Sequence, residues 1–369
     1  ADGSIQIRSL EGDIDPIIGK PHTGVVASVN FTQDYTRLIT SSYDNSAAIL
    51  SVRHLISSPQ SNAVVTLPHQ SSVKPAHFDD SGQYVATGCL DGTVHLWNAA
   101  TGEAIRDFRH DDSGKAQTAA VSSVAFIPGR DAIISAGWNG LMKVWSTAGK
   151  GELLSVKRAG DLIVSMDVSP MGQRAALVLD DTKSVQIWDI SDPIDIPEDP
   201  LASGTLPSGG APQCVAFDPW DSRSLHVGDN DGFVWHARLV DDRLLFDRNP
   251  LRPHERQINF IEPLVEDGHK SLLTASRDRW VRLTDLEGTR TLAFDLTDRS
   301  EAICADLNPN ATRLVTVCSA DAAPILWDAE DGFQITSLTG HDEPLNSAEF
   351  SPDGRMLLTS SHDGTVRIW

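Results

Sequence analysis

The chain has 369 residues, 40% of them hydrophobic, with 27 Gly and 20 Pro spread along it, a composition that excludes a disordered chain and fits a turn-rich globular one. Its formal charge is −21, from 51 acidic against 30 basic residues, and no cluster of Lys and Arg forms the footprint that a nucleic-acid backbone requires. No apolar run reaches the length of a membrane span, and Cys89, Cys214, Cys304 and Cys318 show no Cys-x-x-Cys spacing, which argues against a disulfide scaffold and for a reducing, cytoplasmic setting.

Taken in chain order, the first element is Ser4 to Leu10, within ADGSIQIRSLEG. It repeats EDGFQITSLTG at 330 to 340 apart from one inserted residue, so it reads as the last strand of a unit whose first three strands are missing. The next clear unit is HQSSVKPAHFDDSGQYVATGCLDGTVHLWN at 69 to 98, and GEAIRDF at 102 to 108 adds an outer strand to it. Further copies follow, and the last is GHDEPLNSAEFSPDGRMLLTSSHDGTVRIW at 340 to 369. That copy holds three alternating strand patterns, LNSAEF, RMLLTSS and TVRIW, parted by SPDG and HDG. Its Asp-Gly pair predicts a two-residue hairpin. The closing position of the third strand recurs at Leu50, Trp97, Trp145, Trp188, Ala237, Thr284, Trp327 and Trp369, 42 to 49 residues apart. Such a period belongs to a four-stranded repeat unit.

These residues resemble the WD40-repeat (WD-repeat) β-propeller family. Its Gly-His, Asp-Gly and closing Trp are fullest in Gly340-His341, Asp363-Gly364 and Trp369, and its Trp-Asp pair stands at Trp188-Asp189 and Trp327-Asp328. The resemblance implies an all-β fold: an eight-bladed propeller of four-stranded antiparallel blades, one domain over 1–369. Residues 1–10 close it as the outer strand of the last blade, beside Thr365 to Trp369. It also implies a buried hydrogen-bonded chain of structural residues, complete only in the last blade as His341, Ser361, Asp363 and Trp369. A triad reading of that chain is set aside, because its polar groups satisfy one another out of reach of substrate.

The family's partner contacts map to the residue before the turn Asp and to two positions at the start of each first strand. Here those include Tyr43, Leu90, Trp138, Leu162, Asn230, Gln257, Asn259, Arg277 and His362, with Ala320 as the turn position of blade seven and blade four ambiguous. Aromatic and Arg anchors at such places are what a protein or peptide docking site uses. The expectation is a non-catalytic interaction scaffold or sensor, one domain of a larger signalling protein. It needs no cofactor or metal, and its partner is a protein rather than nucleic acid or membrane. The alternative is a ligand-binding or hydrolytic propeller with its site at the channel mouth.

Overall fold

The second strand of each repeat is almost wholly buried, Arg37–Ser42 and Ala132–Gly137 being examples, because a sheet covered on both faces favours near-continuous small and branched apolar residues. The fourth strands, such as Ala104–Arg109 and Gln334–Ser337, are mostly exposed. This gradient from buried to exposed runs across blades one to seven. The computed structural model describes residues 5–7, 21–32, 34–52, 64–110, 120–148, 153–266, 269–351, 353–363 and 366–369. No helix among them is long and apolar enough to cross a membrane.

Seven four-stranded sheets are antiparallel meanders, each strand pairing with the next in sequence. They form blades one to seven, over 26–68, 73–109, 121–158, 163–205, 212–246, 258–295 and 302–337. The remaining sheet holds three antiparallel strands, Leu345–Phe350, Leu357–Ser361 and Val366–Ile368, with Ile5–Ile7 added at its edge. That added strand runs parallel to its neighbour, Ile5 opposite Val366 and Ile7 opposite Ile368. The expectation of eight four-stranded antiparallel blades is therefore corrected to seven. Within the other blades short turns tie neighbouring strands and force them antiparallel, whereas Ile5–Ile7 is joined to Val366–Ile368 only through the whole intervening chain. Connectivity leaves its direction free. The other positions of the 1–10 segment lie outside the described residues.

The chain divides into two compact units. One comprises 1–107 with 298–369; the other is 108–297, and the division falls within the fourth strand of blade two. In the first unit Val26, Val29, Leu38 and Leu50 of blade one bury against Leu358 of the terminal sheet. Ile39, Ile49 and Leu67 bury against Val85 and Trp97 of blade two, and Val315 and Val317 of blade seven bury against Leu345 and Trp369. In the second unit blades three and four share Ile134, Val144, Leu177 and Trp188, and blades four and five share Val178, Ile187, Val227 and Trp235. The apolar faces are thus consumed between sheets. The outer edges of blades one to seven are left to the more exposed fourth strands.

Asp-Gly and Asn-Gly mark the connection between second and third strands, but the loops are longer than the two residues expected. Cys89 and Thr93 flank Leu90-Asp91-Gly92, where the Gly92 amide donates to the Cys89 carbonyl and Gly92 has φ of 83°. This is a tight turn followed by one left-handed residue. At Gly232, φ is 88° and a Cβ would stand 2.2 Å from the His254 carbonyl oxygen of blade six. Both constraints select glycine there.

Candidate functional site

Four indoles end on a buried hydroxyl. Trp369 Nε1 donates to Thr359 Oγ1 at 3.0 Å, Trp97 to Thr87 at 3.0 Å, Trp145 to Ser135 at 2.9 Å and Trp327 to Thr316 at 2.9 Å. In the terminal sheet the chain continues from Thr359 to His341 Nε2 at 2.8 Å and from His341 Nδ1 to Asp363 Oδ2 at 2.8 Å. The chain is thus Trp369, Thr359, His341 and Asp363. Ser361, the expected hydroxyl, serves elsewhere: it donates to the Glu343 carbonyl at 2.8 Å and accepts the Asp363 amide at 3.1 Å. Thr359 and Ser361 are two apart on one strand and share a face, so spacing alone could not separate them.

The same frame recurs with losses. His22 meets Thr40 at 2.7 Å in blade one, where Leu50 replaces the indole, and His110 meets Ser135 at 2.7 Å in blade three. His254 meets Thr274 at 2.9 Å and Asp278 at 3.0 Å in blade six, where Thr284 replaces it. In blade five Trp235 takes over, donating to Asp229 Oδ2 at 2.9 Å. Burial lowers the His341 and His254 imidazoles against the raising effect of Asp363 and Asp278. It takes His69 down to about 3. The Asp278 carboxyl is opposed by burial, but hydrogen bonding and charge from His254 prevail and hold it at about 2. A Thr-His-Asp row has the connectivity of a nucleophilic triad, yet Thr359 is fully buried, so no substrate reaches its oxygen. These chains hold turns to strands.

A second feature repeats in every sheet. The amide of the first turn residue donates to the carbonyl just before the first strand: Tyr43 to Val25, Leu90 to Ser72, Trp138 to Ala120, Asp180 to Leu162, Asn230 to Ala211, Arg277 to Gln257, Ser319 to Glu301 and His362 to Pro344. Two residues past each acceptor the first strand bulges, with register shifts spanning Val26/Ser28, Val73/Ala76, Val121/Ser123, Ile163/Ser165, Pro212/Cys214, Ile258/Phe260, Ala302/Cys304 and Leu345/Ser347. A bulge re-aims one side chain out of the ladder. The backbone is fixed while the side chain is left to vary.

The family description "WD domain, G-beta repeat" matches residues 60–98, 109–146 and 332–369. The chain thus carries repeats of the WD-repeat family. It is 25% identical over 304 residues to the serine-threonine kinase receptor-associated protein of Dictyostelium discoideum, covering 81% of this chain and 94% of that protein. It is 24% identical over 319 residues to the human angio-associated migratory cell protein, covering 82% and 68%. WD repeat-containing protein 1 of Gallus gallus is 23% identical over 378 residues, and the match takes in 100% of this chain but 57% of that one. Among solved structures, the computationally designed Ika8 protein aligns with a TM-score of 0.73 at 17% identity over 99% of both chains, a likeness of fold alone.

On the WD-repeat frame the expected contact residues fall as follows. In the first unit Tyr43 and His362 are exposed and Leu90 half-buried. His362 Nε2 reaches Asn346 Oδ1 at 3.0 Å, and Asn346 Nδ2 donates to the Val26 carbonyl at 2.7 Å, so the pair bridges the terminal sheet to blade one. In the second unit Trp138, Asn230 and Arg277 are exposed, and Leu162, Gln257 and Asn259 are half-buried. Gln257 Nε2 donates to Gln213 Oε1 at 2.9 Å and to Asn259 Oδ1 at 3.3 Å. Two turn positions are revised. Blade four presents Asp180, and blade seven presents Ser319 rather than Ala320, because Cys318 and not Ser319 pairs with Ala302. Sequence reading also missed the bulge residues Gln213 and Ile303, since one extra residue in a strand leaves no compositional mark.

The four cysteines are free thiols. Burial pushes Cys214, Cys304 and Cys318 up to about 12, so these sulfurs stay protonated and unreactive at neutral pH.

Proposed function

We propose that the chain is a protein-interaction scaffold whose partner, a protein or peptide, docks on the turn and bulge residues of one of its two units. The observation that carries this reading is the repeated amide-to-carbonyl bond, which holds the turn backbone alike in every sheet while the side chain is Tyr, Leu, Trp, Asp, Asn, Arg, Ser or His in turn. The backbone bond does not depend on which side chain stands there, although Asn230 Oδ1 accepts the Ala211 amide at 2.9 Å and His362 reaches Asn346. Tyr43 and Trp138 are nonetheless large, and each is 44% exposed, the situation of an anchor awaiting a pocket or peptide. In the second unit Trp138, Leu162 and the exposed Val164 supply apolar contact, and Asn230, Gln257 and Arg277 supply directional bonds. One relative is named for association with a serine-threonine kinase receptor, which favours binding over chemistry.

Affinity capture with the wild type beside two variants tests this. Tyr43→Ala with His362→Ala alters the first unit, and Trp138→Ala with Arg277→Ala alters the second. Loss of at least one partner, by tenfold or more in recovered amount, is expected from one pair while thermal stability is unchanged. Identical partner lists for all three proteins would move the binding surface elsewhere.

A further inference from the structure

Blade five carries a group of side chains that neither the turn surface nor the buried indole chains use. His226 on Asp221–Asp229 stands directly opposite His236 on Val234–Val240, and the two rings lie 5.1 Å apart, tilted by 39°. Each imidazole is backed by a carboxylate. His226 Nε2 is 2.8 Å from Asp218 Oδ1, and His236 Nδ1 is 3.0 Å from Asp247 Oδ2. A ring nitrogen held by a carboxylate keeps the proton, so the opposite nitrogen of the same ring presents a lone pair. For His226 that nitrogen is Nδ1. The residue is 1% exposed, and Nδ1 has no hydrogen-bond partner, a costly state for a buried polar atom.

Both rings line a pocket of about 240 Å³ whose wall also includes Asp247, Asn249 and Glu287. Ligand atoms of Asp218, His226 and His236 all lie within 4.8 Å of one another. We propose that this pocket binds one divalent transition-metal ion of the zinc class. His226 Nδ1 and His236 Nε2 are its ligands, Asp218 and Asp247 orient the two rings from behind, and Glu287 or water completes the coordination. Paired imidazoles select zinc, nickel or copper over magnesium and calcium, which take oxygen ligands.

Blade two offers an internal contrast. His69, Cys89 and His95 also cluster, but both nitrogens of His69 are spent, Nδ1 at 2.8 Å from the Leu67 carbonyl and Nε2 at 2.8 Å from Thr87 Oγ1. Burial pushes the Cys89 thiol far above its usual range. His69 therefore has no lone pair left to offer, and the pair of buried and half-buried imidazoles facing one cavity is not repeated there.

The test is calorimetric titration of zinc sulfate into the full, untagged chain after treatment with a chelator, with magnesium chloride as the comparison. One equivalent of zinc is expected to bind, and magnesium is not. His236→Ala or His236→Gln, at a half-buried ring, weakens zinc binding by at least about 100-fold while circular dichroism is unchanged, Asp247→Asn weakens it by about 10–100-fold, and Cys89→Ala leaves it alone. X-ray absorption of the zinc-loaded chain shows two imidazole nitrogens near 2.0 Å. Absence of saturable zinc binding by the wild type would overturn the proposal. So would unchanged affinity in both His236 variants, or a loss in Cys89→Ala as large as theirs.

Discussion

Thr359 does the work that the sequence pattern assigns to Ser361, and the two side chains make separable predictions. Thr359→Val leaves the Trp369 indole N–H and His341 Nε2 without their shared oxygen in a buried place, which costs about 1–3 kcal/mol, and Thr359→Ser restores most of it. Ser361→Ala removes a turn bond close to backbone carbonyls and costs about 1 kcal/mol. Urea midpoints rank the variants, and a larger loss in Ser361→Ala would reverse the assignment. Two carboxyls carry a pH dependence of the opposite sense from the histidines. Asp167 accepts the Phe217 amide at 2.7 Å and Asp306 accepts the Phe350 amide at 2.5 Å, each reaching the following sheet within its own unit. Burial pushes both up to about 6 despite these bonds. A carboxyl whose folded value is raised favours the folded state while protonated, so its contribution is present below the unfolded value near 4 and is lost as pH rises toward 6. Asp306→Asn keeps an oxygen for Phe350 and removes that loss. The variant is expected to gain on the order of 1 kcal/mol over the wild type at pH 7.5 and to show no gain at pH 4, as thermal melts at the two values will read.

At the scale of the element, the strand count and the alternation in each repeat were legible because buried second strands and polar fourth strands differ so sharply in composition. The direction of Ile5–Ile7 was not legible. A three-residue alternating strand satisfies an exposed edge either way, and no turn ties it to its partner. The parallel register places Ile5 opposite Val366, whereas an antiparallel one centred on Gln6 and Arg367 places Ile5 opposite Ile368. Oxidation of Ile5→Cys with Val366→Cys is expected to give the higher disulfide yield, against Ile5→Cys with Ile368→Cys. The reverse ranking would restore the antiparallel arrangement. The turn of blade seven was misread for a related reason. Ser319, Ala320 and Asp321 imitate the Ser-x-Asp of other blades, but pairing of Ala302 with Cys318 shifts the frame by one residue. Only the ladder reveals that shift.

At the scale of the whole molecule, the turn positions were readable where the repeat is regular and hidden where it slips. Tyr43, Leu90, Trp138, Asn230, Arg277 and His362 each occupy the turn position assigned to them, because a strict offset from the turn Asp or Asn carries the information. The histidine pair of blade five left no such trace. Its members are ten residues apart, and only the hairpin register sets them face to face. The fourth strands of blades one to seven leave much of their length exposed, while the sheets bury their apolar faces on one another. Solubility and cohesion are thereby assigned to different strands of the same repeat.

The partnership of Ile5–Ile7 with Val366–Ile368 also sets a timetable for assembly. During synthesis the sheet that joins them cannot gain its outer strand until residue 368 has left the ribosome, so Ile5–Ile7 waits for Val366–Ile368. The entropy of closing so long a loop grows only with the logarithm of its length, and the seven meanders, built from neighbouring segments, can form before that closure. A cell making this protein therefore carries a nascent chain in which Ile5–Ile7 lacks its partner strand until residues 366 to 368 emerge.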